Sequence, residues 1–109
     1  MGDRGNVIVK DGTDQVCLYT HWFATELPET LRLALKRKER WTDGSYLTRI
    51  IFCEMVGKYW KDEGGFGISQ SLGDGANKII IVDIDSQTVK VGKKEPVRFA
   101  EFCETDIGW

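Results

Sequence analysis

A chain of 109 residues is enough for one compact domain with one core, expected to occupy residues 1–109 with a radius of gyration of roughly 13 Å. Its hydrophobic fraction of 41% and charged fraction of 29% are those of a globular protein, and no apolar run approaches the roughly 18 residues that a membrane-spanning helix needs. A net charge of −2 and a pI near 5.4 give a field that does not attract nucleic acid, so any anion site must be local.

The polar opening, Met1 to Asn6, has no apolar signal-peptide region, which points to a cytoplasmic protein. Residues 6–10 are short and β-branched. Asp11-Gly12-Thr13-Asp14 is a turn cluster, and the strand-like run 15–21 completes a hairpin. Alternation in the second strand puts Val16, Leu18 and Thr20 on one face and Cys17, Tyr19 and His21 on the other. Thr25 is a candidate N-cap, Pro28 suits a first turn, and Leu27, Leu31, Ala34 and Leu35 make an apolar stripe, so an amphipathic helix is expected over 26–40. Arg32, Lys36, Arg37, Lys38 and Arg40 on that helix read as a solvated basic face that complements the dipole. A second, more apolar helix spans 46–56, with Asp43 or Ser45 as its cap and Gly57 as its stop.

Residues 58–65 read as an exposed, lid-like loop. Strands are expected at 66–72, at 78–85 as the central one, and at 88–91, forming a meander, with a turn over 73–77 between the first two. Pro96 can start a last helix carrying Phe99, Phe102 and Cys103. Trp109 should either dock on the body or serve a subunit contact. The fold expected is α+β: about five antiparallel strands and two to three helices, in the order ββ-αα-βββ-α, with the helices on one face.

Catalytic signatures are sparse. The three cysteines, Cys17, Cys53 and Cys103, lack C-x-x-C spacing and read as small buried hydrophobes, and a lone histidine with scattered thiols leaves no metal or cofactor to expect. A Cys17–His21 nucleophile pair fails because residues four apart in a straight strand are separated by roughly 13 Å. Gly64-Gly65-Phe66-Gly67 lacks the Lys-Ser/Thr of a phosphate-cradling loop. Asp83 and Asp85 share a strand face roughly 7 Å apart, which suits a solubilising edge better than a catalytic dyad.

Binding chemistry has more material. Tyr19, Tyr46, Tyr59, Trp22, Trp41 and Trp60 fall at expected element ends or in loops, beside Arg4 and Arg49. Aromatic faces with guanidinium groups are what a nucleotide's base and phosphates require. The remainder that packing does not explain is Tyr19, His21 and Trp22, where a strand hands over to a helix N-terminus whose N–H groups favour anions.

Asn6-Val7-Ile8-Val9, Leu18-Tyr19-Thr20-His21-Trp22 and Arg49-Ile50-Ile51-Phe52 resemble a group of short, functionally uncharacterised proteins of bacteria and their phages, with an Arg-Gly-Asn opening, a Leu-Tyr-Thr-His-Trp strand end and an Arg-Ile-Ile-Phe helix. The resemblance covers roughly residues 4–72. It implies a phage accessory or counter-defence role, exercised in the host cytoplasm. Together these readings lead to the expectation of a non-enzymatic protein, homo-oligomeric, that sequesters a small anionic ligand such as a signalling nucleotide through Arg4, Tyr19, His21, Trp22 and Arg49. Inhibition of a host enzyme or defence complex by direct binding is the alternative, and a small nucleotide hydrolase a third.

Overall fold

The hairpin is formed by β1 (Gly5–Asp11) and β2 (Asp14–Thr20), paired from Gly5↔Thr20 to Asp11↔Asp14. In this computed structural model residues 2–72 and 78–109 are described; the turn expected at 73–77, with Asp74, lies outside them. Only two residues, Gly12 and Thr13, close the hairpin. Gly12 has φ +64°, the left-handed conformation that such tight connections demand.

A 3-10 turn at Ala24–Glu26 leads into α1 (Leu27–Leu35), followed by α2 (Gly44–Val56) and a second 3-10 turn at Gly57–Tyr59. The remaining elements are β3 (Phe66–Ser69), β4 (Lys78–Asp83), β5 (Thr88–Val91), β6 (Val97–Arg98) and α3 (Phe99–Glu104). The class is α+β, but the sheet has six strands in the order β3-β2-β1-β4-β5-β6 and is mixed. Five antiparallel strands ending in a β3-β4-β5 meander were expected. Both edges of the hairpin are used instead: β3 adds antiparallel to β2, and β4 adds parallel to β1. The meander of short connections is β4, β5 and β6. Val97 and Arg98, expected in the last helix, extend along β5 before α3 begins.

One face of the sheet carries Val7, Val9, Leu18, Ile80, Val82, Val89 and Val91, which form a continuous cluster with Leu27, Leu31 and Leu35 of α1, Leu47 and Ile51 of α2, and Phe99 and Phe102 of α3. The leucine stripe is therefore the buried face of α1. Ile8 and Cys17, partners across the hairpin, are buried on the opposite face, outside this cluster. Asn6, on the same face as Ile8, is buried and its Nδ2 has no hydrogen-bond partner among the described residues. The radius of gyration is 12.6 Å. Among the described residues, no helix is long and apolar enough to cross a membrane.

Three local expectations are corrected. α1 stops at Leu35, not near Arg40: the Trp41 indole donates to the Leu35 carbonyl at 3.2 Å and meets Phe99 edge-on at 5.4 Å, and Lys38 and Arg40 take φ of 55° and 62°. Anchoring Trp41 in the core pulls the chain out of the helix. Arg32 is not on the solvated basic face; only 6% exposed, it donates to the carbonyls of Phe102, Thr105 and Ile107 and pairs with Glu29. Cys53 is exposed because the periodicity that buries Leu47, Ile51 and Met55 turns it outward. As expected, Asp43 caps α2, accepting from the Tyr46 amide at 3.4 Å, and Gly57 ends it with φ +50°.

Candidate ligand site at the end of the second strand

β2 ends at Thr20, whose hydroxyl accepts from the Phe23 amide at 3.2 Å and so holds the turn His21-Trp22-Phe23. The His21 amide donates to the Gly65 carbonyl at 2.8 Å, which ties this turn to the loop before β3. Tyr19 and His21, two apart on one strand face, meet through a 2.9 Å hydrogen bond between the phenol and Nδ1. The His21 ring then contacts the Trp22 indole edge-on, with centroids 4.7 Å apart. The three residues singled out in the sequence form one connected unit.

Trp22 is 53% exposed and rests on Gly65. A Cβ at position 65 would come within 2.5 Å of the indole Cζ3, and the φ of +92° there also favours glycine. One side of the indole is thus buttressed while about half of its surface stays open. Behind it, Phe23 stacks with Tyr59 at 5.4 Å and with Phe66 at 5.9 Å. Trp60, in the following loop, is 69% exposed.

The two arginines part company. Arg4 is exposed and immediately precedes Gly5, the residue paired with Thr20 at the end of the β1–β2 ladder. The backbone of Gly2 packs on His21, leaving no room for a side chain there. Arg49 does not join them. It lies on the solvent side of α2, opposite the buried Leu47, Ile51 and Met55.

The helix N-terminus also departs from expectation. Thr25 is no cap; the Asp3 carbonyl accepts from the Ala24 amide at 3.0 Å, and the Asp3 carboxylate accepts from the Thr25 amide at 2.6 Å and from Lys78 Nζ at 2.8 Å. Hydrogen bonds from Lys78 and then from Thr25 lower the Asp3 pKa to about 2. The positive end of this helical segment already has its anion, supplied by the chain itself. The Ala24 and Thr25 amides are therefore already bonded and are not free to hold an anionic ligand.

Other candidates have structural employment. The Asp83 carboxylate accepts from the amides of Asp85 and Ser86 at 3.0 and 3.3 Å, and Asp85 accepts from the Gly12 amide at 3.1 Å. These carboxylates build the β4–β5 turn and fasten it to the hairpin tip. Burial raises the Cys17 thiol pKa, which opposes formation of a nucleophilic thiolate. Among the described residues, no group of three or more His, Cys, Asp or Glu side chains is placed to hold a metal ion.

The chain matches no protein-family model, no curated protein and no solved structure. What the site can do follows from its own geometry. A half-open indole held by a glycine and an imidazole suits stacking of a planar ring.

Proposed function

We propose that the protein is a non-enzymatic, phage-type accessory protein that captures a small anionic ligand with a planar ring, a signalling nucleotide being the class that fits, and that it works as a homo-oligomer in the host cytoplasm. The observation that carries this reading is the Trp22 indole, buttressed by Gly65 and His21 and open over about half its surface. A base stacks on the indole, and Arg4 takes the phosphate. Arg49 stands apart on α2, so in this reading it contributes nothing to the same ligand.

A stacked base is worth about 1–3 kcal/mol, so Trp22→Ala should weaken binding by roughly 5- to 150-fold. Calorimetric titration of cyclic and linear nucleotides into the wild type and Trp22→Ala reads this directly. Gly65→Ala, which pushes the indole from its seat while leaving it in the chain, should weaken the same ligand. Flat titrations across the panel with folded wild-type protein would sink the reading. Native mass spectrometry of the purified protein reports subunit count and retained ligand together.

A second reading, inhibition of a host enzyme or defence complex, is favoured by the extent of the aromatic surface. Tyr59, stacked on Phe23, and the exposed Trp60 next to it in the chain add aromatic surface, more than one base needs, and exposed aromatic residues are typical anchors of protein interfaces. A stoichiometric protein recovered from host lysate, lost in a Trp22→Ala, Trp60→Ala double variant, would select this reading over ligand capture.

A further inference from the structure

The two edges of the sheet are finished differently. At one end β6 is two residues long, follows Pro96, carries Arg98 and runs straight into α3. Shortness, proline and charge are the devices that keep an edge strand from pairing with another chain. At the other end β3, Phe66-Gly67-Ile68-Ser69, has neither charge nor proline. Its inner side pairs with β2, from Cys17↔Ser69 to Thr20↔Phe66. The Gly65 carbonyl accepts from the His21 amide, so in the same peptide plane the Phe66 N–H points the other way. By alternation, the N–H and C=O groups of Phe66 and Ile68 face outward while those of Gly67 and Ser69 face β2. None of the described residues bonds to the outward groups.

Apolar surface collects at the unguarded edge. Of the seven large hydrophobic side chains exposed among the described residues, five belong to residues 59–72 or to the indole resting on Gly65: Trp22, Tyr59, Trp60, Ile68 and Leu72. Ile68 is 62% exposed although it stands on the core face of the sheet beside the buried Leu18. An aromatic side chain presents about 150–250 Å², so these five expose on the order of 500 Å², a large share of the roughly 800 Å² that each partner contributes to a stable dimer.

We propose that β3 pairs with β3 of a second copy of the chain, antiparallel about a twofold axis at Gly67, so that two six-stranded sheets join into one. Phe66 of each copy then lies opposite Ile68 of the other, and their outward N–H and C=O groups exchange hydrogen bonds on both sides of the axis. Ile68 is covered by Phe66 of the second copy, an aromatic and β-branched pair of the kind that stabilises a sheet. Gly67 meets its own counterpart at a non-hydrogen-bonded position, where the Cα atoms come within about 4.5 Å. Nothing in its own chain calls for glycine there, since an added Cβ would meet no atom within 4 Å, and a glycine inside a strand often marks the close approach of another backbone. Charge also fits. Lys61, Asp62 and Glu63, which precede β3, run toward the uncharged Gln70, Ser71 and Leu72 of the other copy, so no like charges meet. The twofold uses both open edges and leaves a closed dimer rather than a growing sheet. This inference deepens the homo-oligomer of the proposed function and rests on that part of it alone.

Sedimentation velocity over a concentration series should show a monomer–dimer equilibrium. Ile68→Lys, which sets a charge at the junction in both copies, should weaken it by about tenfold or more. Residue-resolved hydrogen exchange reads the register: the Phe66 and Ile68 amides are protected in the dimer and lose that protection on dilution. The Gly67 and Ser69 amides, bonded to β2, stay protected throughout and report that the strand is folded in the variant as well. Gly67→Cys on a Cys53→Ser background should form a disulfide-linked dimer under mild oxidation. Ile68→Cys on the same background should not, because its counterpart lies beyond the roughly 7 Å at Cα that a disulfide can span. A dimer with this pattern that takes up no nucleotide supports the interface and counts only against ligand capture. A chain that stays monomeric overturns the interface even if it binds a nucleotide. So does a dimer whose Phe66 and Ile68 amides exchange as fast as in the diluted chain, or protection of those amides only by an added peptide of another sequence.

Discussion

At the scale of single residues, the three thiols separate by environment. Cys17 lies within the sheet and Cys103 within α3, both buried, and burial pushes both thiol pKa values up; at Cys103 the Lys38 charge opposes that shift without cancelling it. Cys53 stands on the solvent side of α2. Since the thiolate is the reactive form, iodoacetamide at about pH 8 should modify Cys53 alone in the native protein and all three cysteines after denaturation, counted by mass spectrometry. Prompt native labelling of Cys17 would show that the face bearing Ile8 and Cys17 is open to solvent. Cys53 was expected to be buried with the other two; the helix period that buries Leu47, Ile51 and Met55 overrides that expectation, because it turns position 53 outward. The burial of Arg32 was not legible in the sequence. Its carbonyl partners Phe102, Thr105 and Ile107 are at least 70 residues away in the chain, and no local periodicity encodes them.

At the scale of elements, the entry to α1 depends on a residue remote in sequence. The turn signals, the leucine stripe and the Asp43 and Gly57 boundaries are local, and all of them could be read from the chain. The true partner of the Thr25 amide, Asp3, is 22 residues upstream, and β4 chose the far edge of β1 through pairing that hydrophobic alternation alone does not specify. Asp3 gives this latch a pH signature. Its carboxyl is held at about 2, below the ordinary value of 3.8, so its folded form binds a proton less readily than its unfolded form. The stabilisation is fully present above about pH 4 and is lost as pH falls toward 2. Asp3→Asn should therefore be less stable than wild type at neutral pH, with the gap in urea midpoint closing between about pH 4 and 2. A gap of constant size across that range would show that the carboxylate charge does not hold the helix entry.

At the scale of the whole molecule, the first and last described segments converge on the turn that presents Trp22. From one side Asp3 holds the amides of Ala24 and Thr25; from the other the Trp109 indole donates to the Ala24 carbonyl at 2.8 Å. The tail is fastened along its length, by Arg32 to the carbonyls of Thr105 and Ile107 and by Lys94 to the carbonyl of Gly108 at 2.5 Å. Of the two roles the sequence left open for Trp109, docking on its own body is the one observed, with the ring also packed beside Gly92. Site geometry held by contacts from several elements is more rigid than a loop can achieve alone. Trp109→Ala removes a half-buried indole and one hydrogen bond, a loss of about 2 kcal/mol by area and bonding together, which in a domain of this size lowers the melting temperature by roughly 10 °C. Hydrogen exchange should then rise at Phe23, Ala24 and Thr25 more than in the middle of α2, because the tail braces the turn and not the second helix. A melting temperature equal to wild type, with exchange at the turn unchanged, would mean that the Asp3 latch alone holds Trp22 in place.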